Sequence, residues 1–234
     1  MVSGLYAYTP QWFYGKELLI DVVSACVLLL IAFFSLRYFK VDRKNKNYLY
    51  LASSFLLIAL SFTAKILTNF TINYHVLETI NFGTFSLVHR SIKTSDALFF
   101  AGYLFHRILM LLGLYALYSI YQKHQSRANM FIAAFLIIVS VYFSKSEYYT
   151  FHLTALLLLI LVTKQFYINF RKSGQFTAKL LAISFAVISA SQIFFMFAGF
   201  GNIIYAAAGA IQLGGYSLLL VTFIRVLYDA KKKK

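Results

Sequence analysis

The stretch LLIDVVSACVLLLIAFFSLRYFKVDRKNK, residues 18–46, decides the fold. From Leu18 to Tyr38 it is nearly unbroken apolar sequence, long enough as a helix to cross a hydrocarbon layer that needs about 20 such residues. Arg37, Lys40, Arg43, Lys44 and Lys46 follow at once, with Asp42 the only acid among them. An apolar run stopped by a basic cluster is the signature of a membrane helix whose far end is cytoplasmic. Six further stretches repeat the pattern: Tyr48–Asn69, Asp96–Tyr121, Asn129–Phe143, Tyr149–Phe170, Ala178–Gly199 and Asn202–Tyr228.

Charge alternates between the gaps. Sixteen Lys and Arg, from Arg37 to the terminal run Lys231–Lys234, share one side with Asp42 and Asp229. The other side holds Lys16, Lys65, Arg90, Lys93, Arg107 and Lys145 against Glu17, Asp21, Glu78, Asp96 and Glu147. Positive residues mark the cytoplasmic face, so the expected topology is seven spans in a cell membrane, amino terminus outside and carboxyl terminus inside. The expected fold class is all-α, a polytopic seven-transmembrane-helix bundle. The domain reading is an external aromatic segment over 1–15, one bundle over 16–228 and a basic tail over 229–234.

Composition excludes a soluble domain. The chain is 61% hydrophobic and 12% charged, whereas soluble domains are about 45–50% apolar and about 25% charged. A net charge of +15 raises nucleic acid as a partner, but cations at helix ends suit anionic lipid head groups instead, and no nucleic acid is expected. Cys26 has no partner for an intramolecular disulfide and counts as a small apolar group inside the first span. Met1–Tyr14 lacks the basic start of a cleavable signal. Tyr6, Tyr8, Trp12, Phe13 and Tyr14 read as an interfacial aromatic belt. Two features stand apart. Residues 70–95 form a long external connection opening on a glycosylation sequon at Asn69, and Asn129–Phe143 is short for a ~30 Å layer at 1.5 Å per residue.

Ionisable groups inside spans are costly and mark function or pairing. They gather toward the outer half: Asp21 in the first helix, Lys65 in the second, His106 and Arg107 in the third. Asp96, Tyr103 and Arg107 share a face of the third helix, and Gln192 and Gln212 add polar groups from the sixth and seventh. The expected site is an outward pocket for a small or lipid-like ligand, formed by Asp21, Tyr103, His106, Arg107, Gln192 and Gln212. Arg107 is expected to pair with Asp21 there, and Lys65 to snorkel to the outer interface.

No cofactor is expected. The last span has no lysine for a retinal Schiff base, and His106 and His152 read as lying at different depths, unsuited to haem. No His, Cys or carboxylate cluster suits zinc, and no metal site is expected. The membrane segments lack proline, arguing against the broken helices of carriers. No hydrolytic constellation is seen, so no enzymatic activity is expected. Ala206, Ala210 and Gly214, with Gly209 and Gly215 beside them, suit close helix contact within the bundle or with another subunit.

AGYLFHRILMLLGLYALY (101–118) and GAIQLGGYSLLL (209–220), with Ile224-Arg-Val-Leu following, resemble segments of prokaryotic seven-helix sensor modules. Such bundles serve as input domains ahead of histidine kinases or cyclic-dinucleotide enzymes, or stand alone. With no output domain in this chain, the resemblance implies a receptor-like or accessory subunit signalling through a separate membrane or cytoplasmic partner. It carries no residue roles across. A structural or assembly subunit of a membrane complex is the alternative, and a small-solute transporter the third.

Overall fold

The computed structural model describes residues 13, 15–41, 43–77, 92–120, 122, 127–144 and 147–232, with the backbone alone for 70–77, 92–99, 127, 128 and 227–232. Among them the chain forms seven α-helices and no strand: α1 (Lys16–Val41), α2 (Asn47–Leu77), α3 (Ile92–Ser119), α4 (Arg127–Phe143), α5 (Tyr149–Ser173), α6 (Phe176–Met196) and α7 (Asn202–Lys232). One 3₁₀ turn, Ala198–Phe200, joins α6 to α7. Six helices are long and apolar enough to cross a membrane; α4 is not. The described residues form an all-helical bundle of the multi-pass membrane type.

Apolar side chains cover the outside of this bundle as well as its centre, and small hydroxyls are buried among them. Phe33, Leu67, Phe105, Ile138, Phe200 and Ile203 are largely exposed on its outside, while Ser24, Ser54, Ser61, Ser184, Ser191 and Thr222 are fully buried. Those hydroxyls are satisfied at home: Ser24 donates to the Ile20 carbonyl at 2.7 Å, Ser184 to Leu180 at 2.9 Å and Thr222 to Leu218 at 2.8 Å. A buried hydroxyl returned to its own helix needs no cross-chain partner. Small serines let backbones approach, which is how helices pack when lipid provides no hydrophobic drive between them.

Helix contacts close a ring in the order α1, α2, α3, α5, α6, α7 and back to α1. Leu28, Phe55, Phe62, Leu111, Leu159, Ile188 and Leu219 fill its centre. Glycine sets two of the close crossings. A Cβ on Gly113 of α3 would stand 2.5 Å from Ile58 Cγ1 of α2, and one on Gly215 of α7 would stand 2.5 Å from Ile188 Cγ1 of α6. The tight α5–α6 turn rests on Gly174 at φ 66°, whose N–H closes α5 onto the Phe170 carbonyl.

The fourth helix stays outside the ring, leaning on α3 and α5. It buries Ile137, Ser140 and Val141 and exposes Met130, Phe131, Phe135, Ile138 and Tyr142. At 17 residues it rises ~25 Å. The turn after it is therefore sunk into the bundle, because Ser144 meets Arg107 at the sixteenth residue of α3. The fifth helix starts beside the middle of α3 rather than at its end.

Several expectations are corrected. Helices α2 and α3 run to Leu77 and from Ile92, shortening the expected 70–95 connection at both ends; residues 78–91 lie outside the described residues. Helix α7 continues into the expected tail, to Lys232. Phe13 turns inward against Ile20 and Ala206 and does not join an interfacial belt, and Tyr6, Tyr8, Trp12 and Tyr14 lie outside the described residues. Cys26 is exposed on the outer face of α1. The small-residue ladder divides: Ala206, Gly209 and Gly215 pack inside, while Ala210 and Gly214 face outward.

Candidate functional site

Exposed cations, among them Lys40, Lys44, Arg171, Lys172 and Lys179, gather at one end of the bundle. In the opposite half lies a cavity of about 60 Å³. Helix α2 supplies Phe62 and Lys65; α3 supplies Tyr103, His106, Arg107 and Met110. The sunken turn and α5 bring Tyr148, Phe151 and His152; α6 brings Gln192 and Phe195, and α7 Tyr205 and Gln212. Tyr103, His106, Arg107, Gln192 and Gln212 thus meet at one place. Asp21 stands one layer away, in an adjoining recess with Glu17, Lys65, Tyr205 and Gln212.

The expected pairing of Arg107 with Asp21 is replaced. Asp21 is taken by Lys65: Nζ donates to Oδ1 at 3.0 Å and stands 2.9 Å from Oδ2, without hydrogen-bond geometry to the latter. Nor does Lys65 snorkel; it points across to α1, where an opposite charge in the low-dielectric interior outweighs the distant water. Tyr205 donates to Glu17 Oε2 at 2.8 Å and ties α7 to α1. Glu17 and Asp21 are thereby engaged.

Arg107 has a different environment. Nη1 donates to Ser144 Oγ at 2.8 Å, and the guanidinium carbon lies 6.0 Å from the Phe151 ring centre. Guanidinium carries five N–H donors, one of which meets Ser144, and Arg107 is among the residues that line the cavity. No Asp or Glu is among the described residues lining it. Tyr103 donates its hydroxyl to Asn69 Oδ1 at 3.2 Å, so Asn69 is an amide engaged from within α2 and not one displayed on a loop. The side chain of Asp96 lies outside the described residues.

The two histidines share the cavity. His106 Nδ1 is 2.9 Å from the Ser61 carbonyl and His152 Nδ1 is 2.8 Å from Gln192 Oε1. A carbonyl only accepts, so each Nδ1 carries the proton and each Nε2 is an acceptor. His152 is stacked on Phe195 with ring centres 5.0 Å apart. The depths of His106 and His152, read as different from their places along α3 and α5, are corrected to one level by the sunken start of α5.

Lys65, Tyr148, His152, Tyr205 and Glu17 complete the site without having been singled out for it. Their signal lay in the relative heights of helices, which spacing along the chain does not carry. Among the described residues no group of His, Cys, Asp and Glu could hold a metal. Compared with known protein families, curated proteins and solved structures, the chain matches none of them.

Proposed function

We propose that this is a non-enzymatic, receptor-like membrane protein that binds a small anion in the cavity around Arg107. One observation carries the reading: the buried guanidinium of Arg107 lines a cavity shared with Lys65 and with neutral polar groups but with no described carboxylate. An ionised group inside a span costs several kcal/mol unless something compensates it. Lys65 has Asp21; Arg107 has a hydroxyl and a ring face. An anion would complete it, with Tyr148 and Gln192 as neighbouring polar groups and Phe62 and Phe151 as walls.

Size narrows the class. A cavity of 60 Å³, about two waters' share of the liquid at ~30 Å³ each, restricts the ligand to a small anion, for which formate, acetate, nitrate and bicarbonate are the probes. In this account the chain crosses the membrane seven times, with α4 crossing where its ends draw the bilayer thin, and the charge rule puts the amino terminus and the cavity outside. The resemblance to prokaryotic sensor bundles supports a receptor acting through a partner chain.

Thermal unfolding of the purified protein tests the reading, with each sodium salt replacing gluconate at constant ionic strength. One of these anions should raise Tm saturably in the wild type and not in Arg107→Gln, and proteoliposomes should show no flux of that anion. Equal Tm in all salts would contradict the site. Anion flux above protein-free vesicles would replace the receptor with a carrier.

A further inference from the structure

The loose seat of α4 leaves a second cavity, of about 440 Å³, between α3, α4 and α5. Tyr115 and Tyr118 form its α3 wall, Ile132 and Leu136 its α4 wall, Leu157 and Leu161 its α5 wall. Thr154 also lines it, but its hydroxyl is returned to the Thr150 carbonyl at 3.0 Å, so the depth of the cleft is apolar. Side-chain polarity returns at the end toward the basic face. Gln122, whose amide donates to the Tyr118 hydroxyl, and Asn129, in the first turn of α4, form that rim.

Beyond the rim lies positive charge. Lys164 is exposed and stands three residues past Leu161 and seven past Leu157, on the same stripe of α5. Arg127 is the first residue of α4, two before Asn129. No acid is among the described residues lining the cleft. We propose that this cleft seats one acyl chain of an anionic phospholipid from the leaflet at the basic end, its phosphate beside Lys164.

Volume and shape favour that occupant. At ~30 Å³ per water-sized group, 440 Å³ takes roughly 15 of them, most of one acyl chain. A helix of a second copy, ~10–12 Å across, would not enter. A neutral lipid would satisfy the apolar walls and leave Lys164 unused.

The test uses the full chain with Trp12→Phe and a reporter, Leu136→Trp, in the cleft. A control reporter, Phe131→Trp, sits on the open side of α4, where Phe131 is 76% exposed. Fluorescence is quenched with phosphatidylglycerol or phosphatidylcholine carrying brominated chains. A basic residue near a membrane surface is worth about fivefold in anionic-lipid binding, so the cleft reporter should prefer phosphatidylglycerol by about fivefold. The control should show no preference, and Lys164→Gln should reduce that of the cleft reporter below about twofold. Equal quenching of the cleft reporter by both lipids, or a preference untouched by Lys164→Gln, would overturn the proposal. So would absence of quenching in a protein that runs as a dimer. None of these results bears on the anion cavity, which lies at the other end of α5.

Discussion

Lys65 on α2 and Asp21 on α1 form an ion pair inside the bundle, Nζ to Oδ2 2.9 Å, with Asp21 almost wholly enclosed. Removing one partner of such a pair strands a buried charge and costs about 3–5 kcal/mol, whereas replacing both with apolar groups is close to neutral. Asp21→Asn and Lys65→Met should each lower Tm in detergent by several degrees. Asp21→Leu with Lys65→Met should recover most of the loss. A double variant as unstable as the two losses combined would show that the pair is not the unit.

The last helix gives a contrast between adjacent glycines. Gly215 approaches Ile188 so closely that a Cβ would stand 2.5 Å from Cγ1 and 3.1 Å from the Ile188 nitrogen. Gly214 has nothing within 4 Å. Overpacking costs about 1–3 kcal/mol, while Gly to Ala at an open helix position gains up to about 1 kcal/mol. Gly215→Ala should therefore lower Tm and Gly214→Ala should hold or raise it. The reverse order would mean that α7 packs through its other face.

How far the sequence speaks is clear from particular residues. Lengths and polarity foretell helices, because each apolar run bounded by charge has one stable form in lipid. Arg107, His106, Tyr103, Gln192 and Gln212 were legible as a set because ionisable and amide groups in apolar helices are few. Their partners were not. That Asp21 meets Lys65 instead of Arg107 depends on α1 lying against α2 and not directly on α3. That His152 joins His106 depends on α5 starting at the middle of α3, a consequence of the shortness of α4. The length of α4 was visible; its lean against the ring, which sinks the next turn, was not.

Topology is checked with cysteine. In a Cys26→Ser background, Lys44→Cys in the exposed α1–α2 turn and Asn202→Cys at the exposed start of α7 should be reached from opposite sides of the membrane. A charged maleimide added outside intact cells should label Asn202→Cys and spare Lys44→Cys. Native Cys26, ten residues into α1 on its outer face, should resist the same reagent, since a charged maleimide does not enter hydrocarbon. Labelling of both engineered sites from outside would refute the seven-span count and direction.

Calorimetric titration reads an anion on Arg107 most directly. Sodium formate, acetate, nitrate and bicarbonate are titrated in gluconate buffer into purified wild type and Arg107→Gln of matched helical content. At least one anion should bind the wild type saturably and one-to-one, weakened tenfold or more by the substitution, in line with about 1.5–3 kcal/mol for a hydrogen bond to a charged group. Flat titrations of the wild type with all four, or equal affinities in the two proteins, would contradict it.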